Sequence, residues 1–191
     1  MNVGTTGRRI YIGKLAGTSV FDPLGEKVGV IHDVVVTFRL NSTANVIGFV
    51  VEVGPRKRVF LPFTRVTAIE SGSVITTGLL NIRSFNQRPV ETLVITELFD
   101  REVTMNDGSG VVKILDVAMQ QRRPRDWIIS TLHVQRVRTT TLGFKRGGTT
   151  MTVRVDEVSS LLKTDSNQAA TALIQHTEDM KAADLADFIH D

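Results

Sequence analysis

The chain has 191 residues, 41% of them apolar, and its 23 basic and 20 acidic side chains leave a net charge of +3. With no cysteine, a disulfide framework, a thiolate zinc site and a cysteine nucleophile are all excluded. The opening MNVGTTGRRIYIGKLAG lacks the apolar run of a signal peptide, and no stretch approaches the roughly 20 apolar residues of a membrane-spanning helix.

Charge is unevenly spread. Residues 156–191 carry 2 basic and 8 acidic side chains, a net of −6, whereas residues 1–155 carry 21 and 12, a net of +9. Such an asymmetry fits two functional surfaces, or docking of the acidic end on the basic body.

In chain order, Thr18–Phe21 reads as extended and Asp22-Pro23-Leu24-Gly25 as a turn. Val28–Phe38 is a long apolar strand, Val46–Val53 the next, and Gly54-Pro55-Arg56-Lys57 turns into Arg58–Phe63. Ser73–Thr77 closes the set after the bend at Gly72. Short strands joined by tight turns indicate a small barrel rather than a βαβ sheet.

The same order then returns 83 residues later, without a gap. Gly25 falls on Gly108, Val28 on Val111, Ile31 on Ile114, Asp33 on Asp116 and Val34 on Val117; upstream, Leu15 falls on Leu98 and Val20 on Val103. Trp127 falls on Ala44 and Val134 on Val51. Beyond Val134, Thr150–Leu161 matches Arg58–Ile69 at a shift of 92, which implies a nine-residue insertion near 137–148. Two copies of one β plan account for this agreement.

From Ser166 the period changes to that of helices. Ala169, Ala170, Leu173, Ile174 and Thr177 share one face, and Ala182, Leu185, Ala186 and Ile189 share another. DLADFIHD carries no helix terminator, so the natural protein is expected to continue past Asp191.

LAGTSVFDPLGEKVGVIHDVVV, VIGFVVEV and RVFLPFTRV resemble the first hairpin, central strand and closing strand of PRC-barrel domains, and the second copy resembles them more loosely, without a counterpart of Pro62. The end, AATALIQHTEDMKAADLADFIHD, resembles the opening helices of the intracellular N-terminal domain of MgtE-type magnesium transporters. The combination is similar to actinobacterial MgtE-related proteins that continue into CBS domains. These resemblances imply a mainly β chain of two tandem PRC-like barrels, residues 10–97 and 98–158, followed by a truncated helical segment over 159–191. They imply a noncatalytic regulatory module, cytoplasmic and near the inner face of a membrane. Its partner is a protein or the rest of its own chain, a homodimer being one alternative. No cofactor is expected in this stretch, and Mg²⁺ belongs to the full-length protein. RNA or ribosome binding is the alternative.

Chemistry is sparse in the sequence. His32 and His133 fall within strands, His176 and His190 are too far apart for one helical metal pair, and Gly147-Gly148 lacks a phosphate-loop setting. Asp33 and Asp116 recur at matching places and are read as hydrogen-bond acceptors where the strand bends. Asp184, Asp187 and Asp191 lie on one helical face and are the candidates for a shared Mg²⁺ site. Arg56, Lys57, Arg58, Arg122, Arg123 and Arg125 form the candidate interaction surface, with Arg136, Arg138, Lys145 and Arg146 as further cations near turns.

Overall fold

The computed structural model describes residues 7–38, 44–78, 83–139, 145–159 and 161. Close contacts divide the chain into 1–159 and 160–191, and of the second part only Leu161 is described. The helices expected after Ser166 therefore lie outside the described residues.

The described chain is mainly β. Its strands are β1 (Arg9–Tyr11), β2 (Ser19–Phe21), β3 (Lys27–Thr37), β4 (Asn45–Glu52), β5 (Arg58–Pro62), β6 (Val66–Glu70), β7 (Ser73–Thr76), β8 (Glu91–Leu93), β9 (Glu102–Met105), β10 (Val111–Arg123), β11 (Asp126–Thr139), β12 (Lys145–Arg154) and β13 (Val158–Ser159). All belong to one hydrogen-bonded sheet, whose main path runs β13-β9-β10-β11-β4-β3-β2-β7-β6.

Within that sheet most of the pairing along the long strands repeats at the 83-residue offset. Ser19 faces Val30 and Val20 faces Gly29; 83 residues on, Glu102 faces Lys113 and Val103 faces Val112. Ile31 faces Val51, Asp33 faces Val50 and Val34 faces Phe49; Ile114 faces Val134, Asp116 faces His133 and Val117 faces Leu132. The register slips at Ile31/Asp33 and Val35/Val36 in one repeat and at Ile114/Asp116 and Ala118/Met119 in the other. A bulge re-aims side chains and increases local twist, so matching bulges bend β3 and β10 alike. On the far side the shift becomes 92: Gly48 faces Pro62 and Thr131 faces Arg154. The 3₁₀ turns Phe63–Arg65 and Val155–Glu157 follow at the same offset.

Two short strands missing from the sequence reading lock the repeats together. β1 does not pair within its own repeat but with β10, Ile10 facing Met119 and Tyr11 facing Ala118. Its counterpart β8 pairs with β3, Leu93 facing Val35 and Thr92 facing Val36. Each repeat thus lends its leading strand to the long strand of the other. Between them β4 meets β11 at Asn45 and Ile128, two positions themselves 83 apart, which puts this pair on the pseudo-two-fold axis.

The core follows from that exchange. Val34, Val35 and Val36 are consecutive and all buried, as are Val117, Ala118 and Met119 at the equivalent positions. A strand buried at successive residues has both faces covered, and each Val so placed contributes about 1.5–3 kcal/mol. Near the axis Trp127 packs on Phe63 at 5.7 Å between ring centroids, and Phe63 on Phe49 at 5.4 Å. The smaller Ala44 occupies the position matching Trp127 and is also buried.

Several boundaries differ from the sequence reading. The repeat register places Glu91–Leu93 at the start of the second repeat, ahead of the expected division at 97/98. β6 was not expected, and it forms a hairpin with β7 that lies parallel to β2. The second repeat instead pairs β13 directly with β9. The nine-residue insertion lengthens one hairpin: Val137, Arg138 and Thr139 pair with Gly147, Arg146 and Lys145. The cations Arg122, Arg123, Arg136, Arg138, Lys145 and Arg146 accordingly lie on strands, because both hairpins extend further than turn chemistry suggested.

Candidate interaction surface

The two recurring aspartates sit at the first bulge of each long strand, where the strand bends toward the other repeat. The Asp33 carboxylate is fully buried. It accepts the Val34 N–H at 2.7 Å and, from the other repeat, the Ile95 and Thr96 N–H groups at 2.8 and 2.9 Å and the Thr96 hydroxyl at 2.7 Å. These donors belong to the wide π turn Val94–Leu98, whose opening N–H groups have no partner inside the turn. Asp116 does the reverse, accepting the Val117 N–H at 2.7 Å and the Gly13 N–H at 2.9 Å from the turn Ile12–Lys14. Gly13 and Thr96 are themselves 83 apart. A Cβ at Gly13 would stand 2.8 Å from the Asp116 carboxylate, so the smaller residue lets that carboxylate lie close over the turn. Both aspartates are fasteners between repeats.

Histidine and carboxylate chemistry is otherwise dispersed. His32 Nδ1 lies 4.0 Å from Glu52 Oε2, and the described residues hold no group of three or more His, Asp or Glu side chains arranged for a metal ion. Asp184, Asp187 and Asp191 lie outside the described residues. Among the described residues no helix is long and apolar enough to cross a membrane.

The six predicted cations fall at two separate places. Arg56 and Lys57 occupy the exposed β4–β5 turn, and Arg58 lies 3.7 Å from Glu52. Arg122, Arg123 and Arg125 surround the β10–β11 turn, where Arg122 pairs with Asp126 at 3.0 Å. Arg58 faces Glu52 near the end of β4, and β11 leaves the β10–β11 turn to meet β4 antiparallel at Ile128 and Asn45. Arg56 and Arg125 share a strained feature, with φ values of 66° and 62° that glycine would adopt at lower cost.

A groove adjoins the second cluster. One wall is β6 and its turn into β7; the other is the leading segment Arg8–Lys14 together with Gln121, Pro124 and Arg125. It consists of two hollows of about 320 and 260 Å³, with Arg8 and Ile69 shared by both. Arg8, Arg9, Lys14 and Arg125 are exposed around it, whereas Glu70 is the lone carboxylate lining it among the described residues. The Arg8 backbone is pinned by the Gln121 N–H at 2.9 Å. Arg8, Arg9 and Lys14 were missed in the sequence because they form no dense basic run beside a turn. The available signal was the repeat itself: Arg8 and Lys14 fall on Glu91 and Glu97 at the shift of 83.

Repeated strand registers, exchanged leading strands and a cationic groove define, among the described residues, a mainly β body whose two repeats brace each other. A PRC-barrel domain is found at residues 7–79, and residues 92–164 match the family described as the Actinomycetes SH3 domain. The two matched ranges begin 85 residues apart, close to the 83-residue offset of the strand registers. No curated protein matches the chain.

Proposed function

We propose that the chain is a noncatalytic interaction module of an MgtE-related magnesium-transport or magnesium-sensing protein, built as two PRC-like barrels in tandem. The observation supporting an interaction role is the use made of the recurring carboxylates. Asp33 and Asp116 are taken up in joining the repeats, while cations stand exposed around a groove. A braced body with a charged recess is suited to docking a partner at little conformational cost. The transporter relation rests on the resemblance of AATALIQHTEDMKAADLADFIHD and places the module on the cytoplasmic side, with Asp184, Asp187 and Asp191 contributing to a Mg²⁺ site in the full-length protein.

Limited proteolysis of the full-length natural protein, with and without magnesium, tests this reading beside RNA retention on a filter. Magnesium protection without RNA retention is the expected result. Retention of RNA that falls steeply with salt, with proteolysis indifferent to magnesium, overturns it in favour of an RNA- or ribosome-associated adaptor.

A further inference from the structure

The groove beside β1 carries a charge pattern that the fold does not require. Arg9 opens β1 opposite Gln120 and Lys14 ends the turn after it; in the second repeat Glu91 opens β8 opposite Thr37, 83 residues before Gln120, and Glu97 lies in the turn that follows. Both pairs support the same exchanged strand and the same carboxylate-capped turn. Glu91 is buried and its carboxylate accepts the Arg88 N–H at 2.9 Å, and Glu97 accepts a hydrogen bond from Gln87 at 2.6 Å. At Arg9 and Lys14, by contrast, the side chains are exposed and no described carboxylate forms an ion pair with them; the same holds for Arg8 and Arg125. Four like charges kept close together repel one another and favour an anionic occupant.

We propose that this groove is the docking site for an extended, acidic segment of a partner protein. The proposal rests on the reading of the chain as an interaction module and gives that partner its chemistry. The shape is that of a recess with two hollows joined at Arg8 and Ile69, which suits a chain laid lengthwise. Its floor is apolar but closed: Leu15, Phe63, Val66, Ile69 and Trp127 are all buried. Trp127 therefore offers no free face on which a base could stack, as single-stranded nucleic acid requires. A bilayer surface does not enter a recess, and the exposed apolar side chains Leu24, Val90 and Val111 do not line this one. Carboxylates spaced along an extended backbone meet the cations in sequence, and the Ser71 hydroxyl beside them supplies a short-range donor. Arg125 adds a second signature, since it keeps a cation where its backbone would be less strained as glycine.

The test is fluorescence anisotropy with the full chain and a short labelled peptide of alternating Glu and Ser. Binding that weakens as salt is raised, and that falls about tenfold or more in Arg8→Glu/Lys14→Glu, is expected. Arg56→Glu/Lys57→Glu, at the other basic cluster, leaves the affinity unchanged. Arg125→Gly lowers affinity while raising the midpoint of thermal unfolding, two shifts of opposite sign that a structural role would not produce together. Failure of the peptide to bind, equal loss in the Arg56/Lys57 variant, or preferential binding of oligouridylate or of anionic phosphatidylglycerol vesicles overturns the proposal. Loss of peptide binding with magnesium protection intact removes the groove alone; loss of magnesium protection with peptide binding intact removes the transporter reading alone.

Discussion

The first and second repeats share a backbone plan and differ in what they hang on it. Matching residues pair with matching partners through β2–β5 and β9–β12, including both bulges. Yet the first repeat uses Gly48 where the second uses Thr131, and it places the cations Arg9 and Lys14 where the second places Glu91 and Glu97. Register is thus the property fixed by apolar alternation and turns, while surface charge and local bulk are free to diverge.

The largest expected effect comes from separating the two. Each half lacks a covering strand unless the other supplies it, since β1 sits on β10 and β8 on β3. Fragments 1–86 and 87–191 expressed apart should fail to form stable monomers, and on co-expression should copurify in equal amounts with the circular dichroism of the intact chain. A fragment that folds alone as a cooperative monomer would break the picture of mutual bracing.

Next in size is the difference between the fasteners. Asp33→Ala strands the Val34, Ile95 and Thr96 N–H groups in a buried seam. It should cost about 3–5 kcal/mol, at roughly 1–3 kcal/mol per buried unsatisfied group. Asp116 is only partly buried and accepts from Gly13 and Val117, so Asp116→Ala should cost about 1–2 kcal/mol. Urea unfolding of the two variants measures both, and equal losses would mean that the seam is symmetric in energy as well as in register.

Much of this comparison was legible in the sequence. The 83-residue offset, the insertion that changes it to 92, the long apolar strands and the aspartates at the bends all follow from alternation, turn residues and repetition. What stayed hidden was the exchange. RIY and ETL are three-residue strands with too few positions to show a period of two, and pairing across 103 residues, as between Gly13 and Asp116, leaves no local trace. The groove was hidden for a related reason. Its cations come from the leading segment and from the β10–β11 turn, so they gather only after the strands have crossed. β6 was missed because its alternation is interrupted by a bulge between Val66 and Ala68.

A smaller contrast concerns bulk against β4 and β11. A Cβ at Gly48 would lie 2.4 Å from the Leu61 carbonyl and 2.6 Å from the Phe60 ring. Gly48→Ala should therefore destabilise by about 1–3 kcal/mol through overpacking. At the matching position Thr131 fits, but its hydroxyl is buried with no hydrogen-bond partner among the described residues. Thr131→Val removes that hydroxyl at nearly constant shape and should stabilise by about 1 kcal/mol. Thermal unfolding should move in opposite directions for the two variants, and a parallel shift would show that the strands are not equivalent environments.

The smallest effect lies at the far turn of the second repeat. There the Asn106 side chain donates to the Asp156 carbonyl at 2.8 Å, and the Asp107 carboxylate accepts the Ser109 N–H at 2.8 Å. Hydrogen bonding with Ser109 holds the Asp107 carboxyl below its ordinary value, and the Arg154 guanidinium does the same for Asp156. A carboxyl lowered by folding adds stability above its ordinary value of 3.8 and loses it as pH falls through the folded value. Because both groups are exposed, acidification should loosen this turn locally rather than unfold the sheet. In an NMR titration the Ser109 amide should shift below about pH 4 while the β3–β4 amides stay in place, and Asp107→Asn should abolish the Ser109 shift.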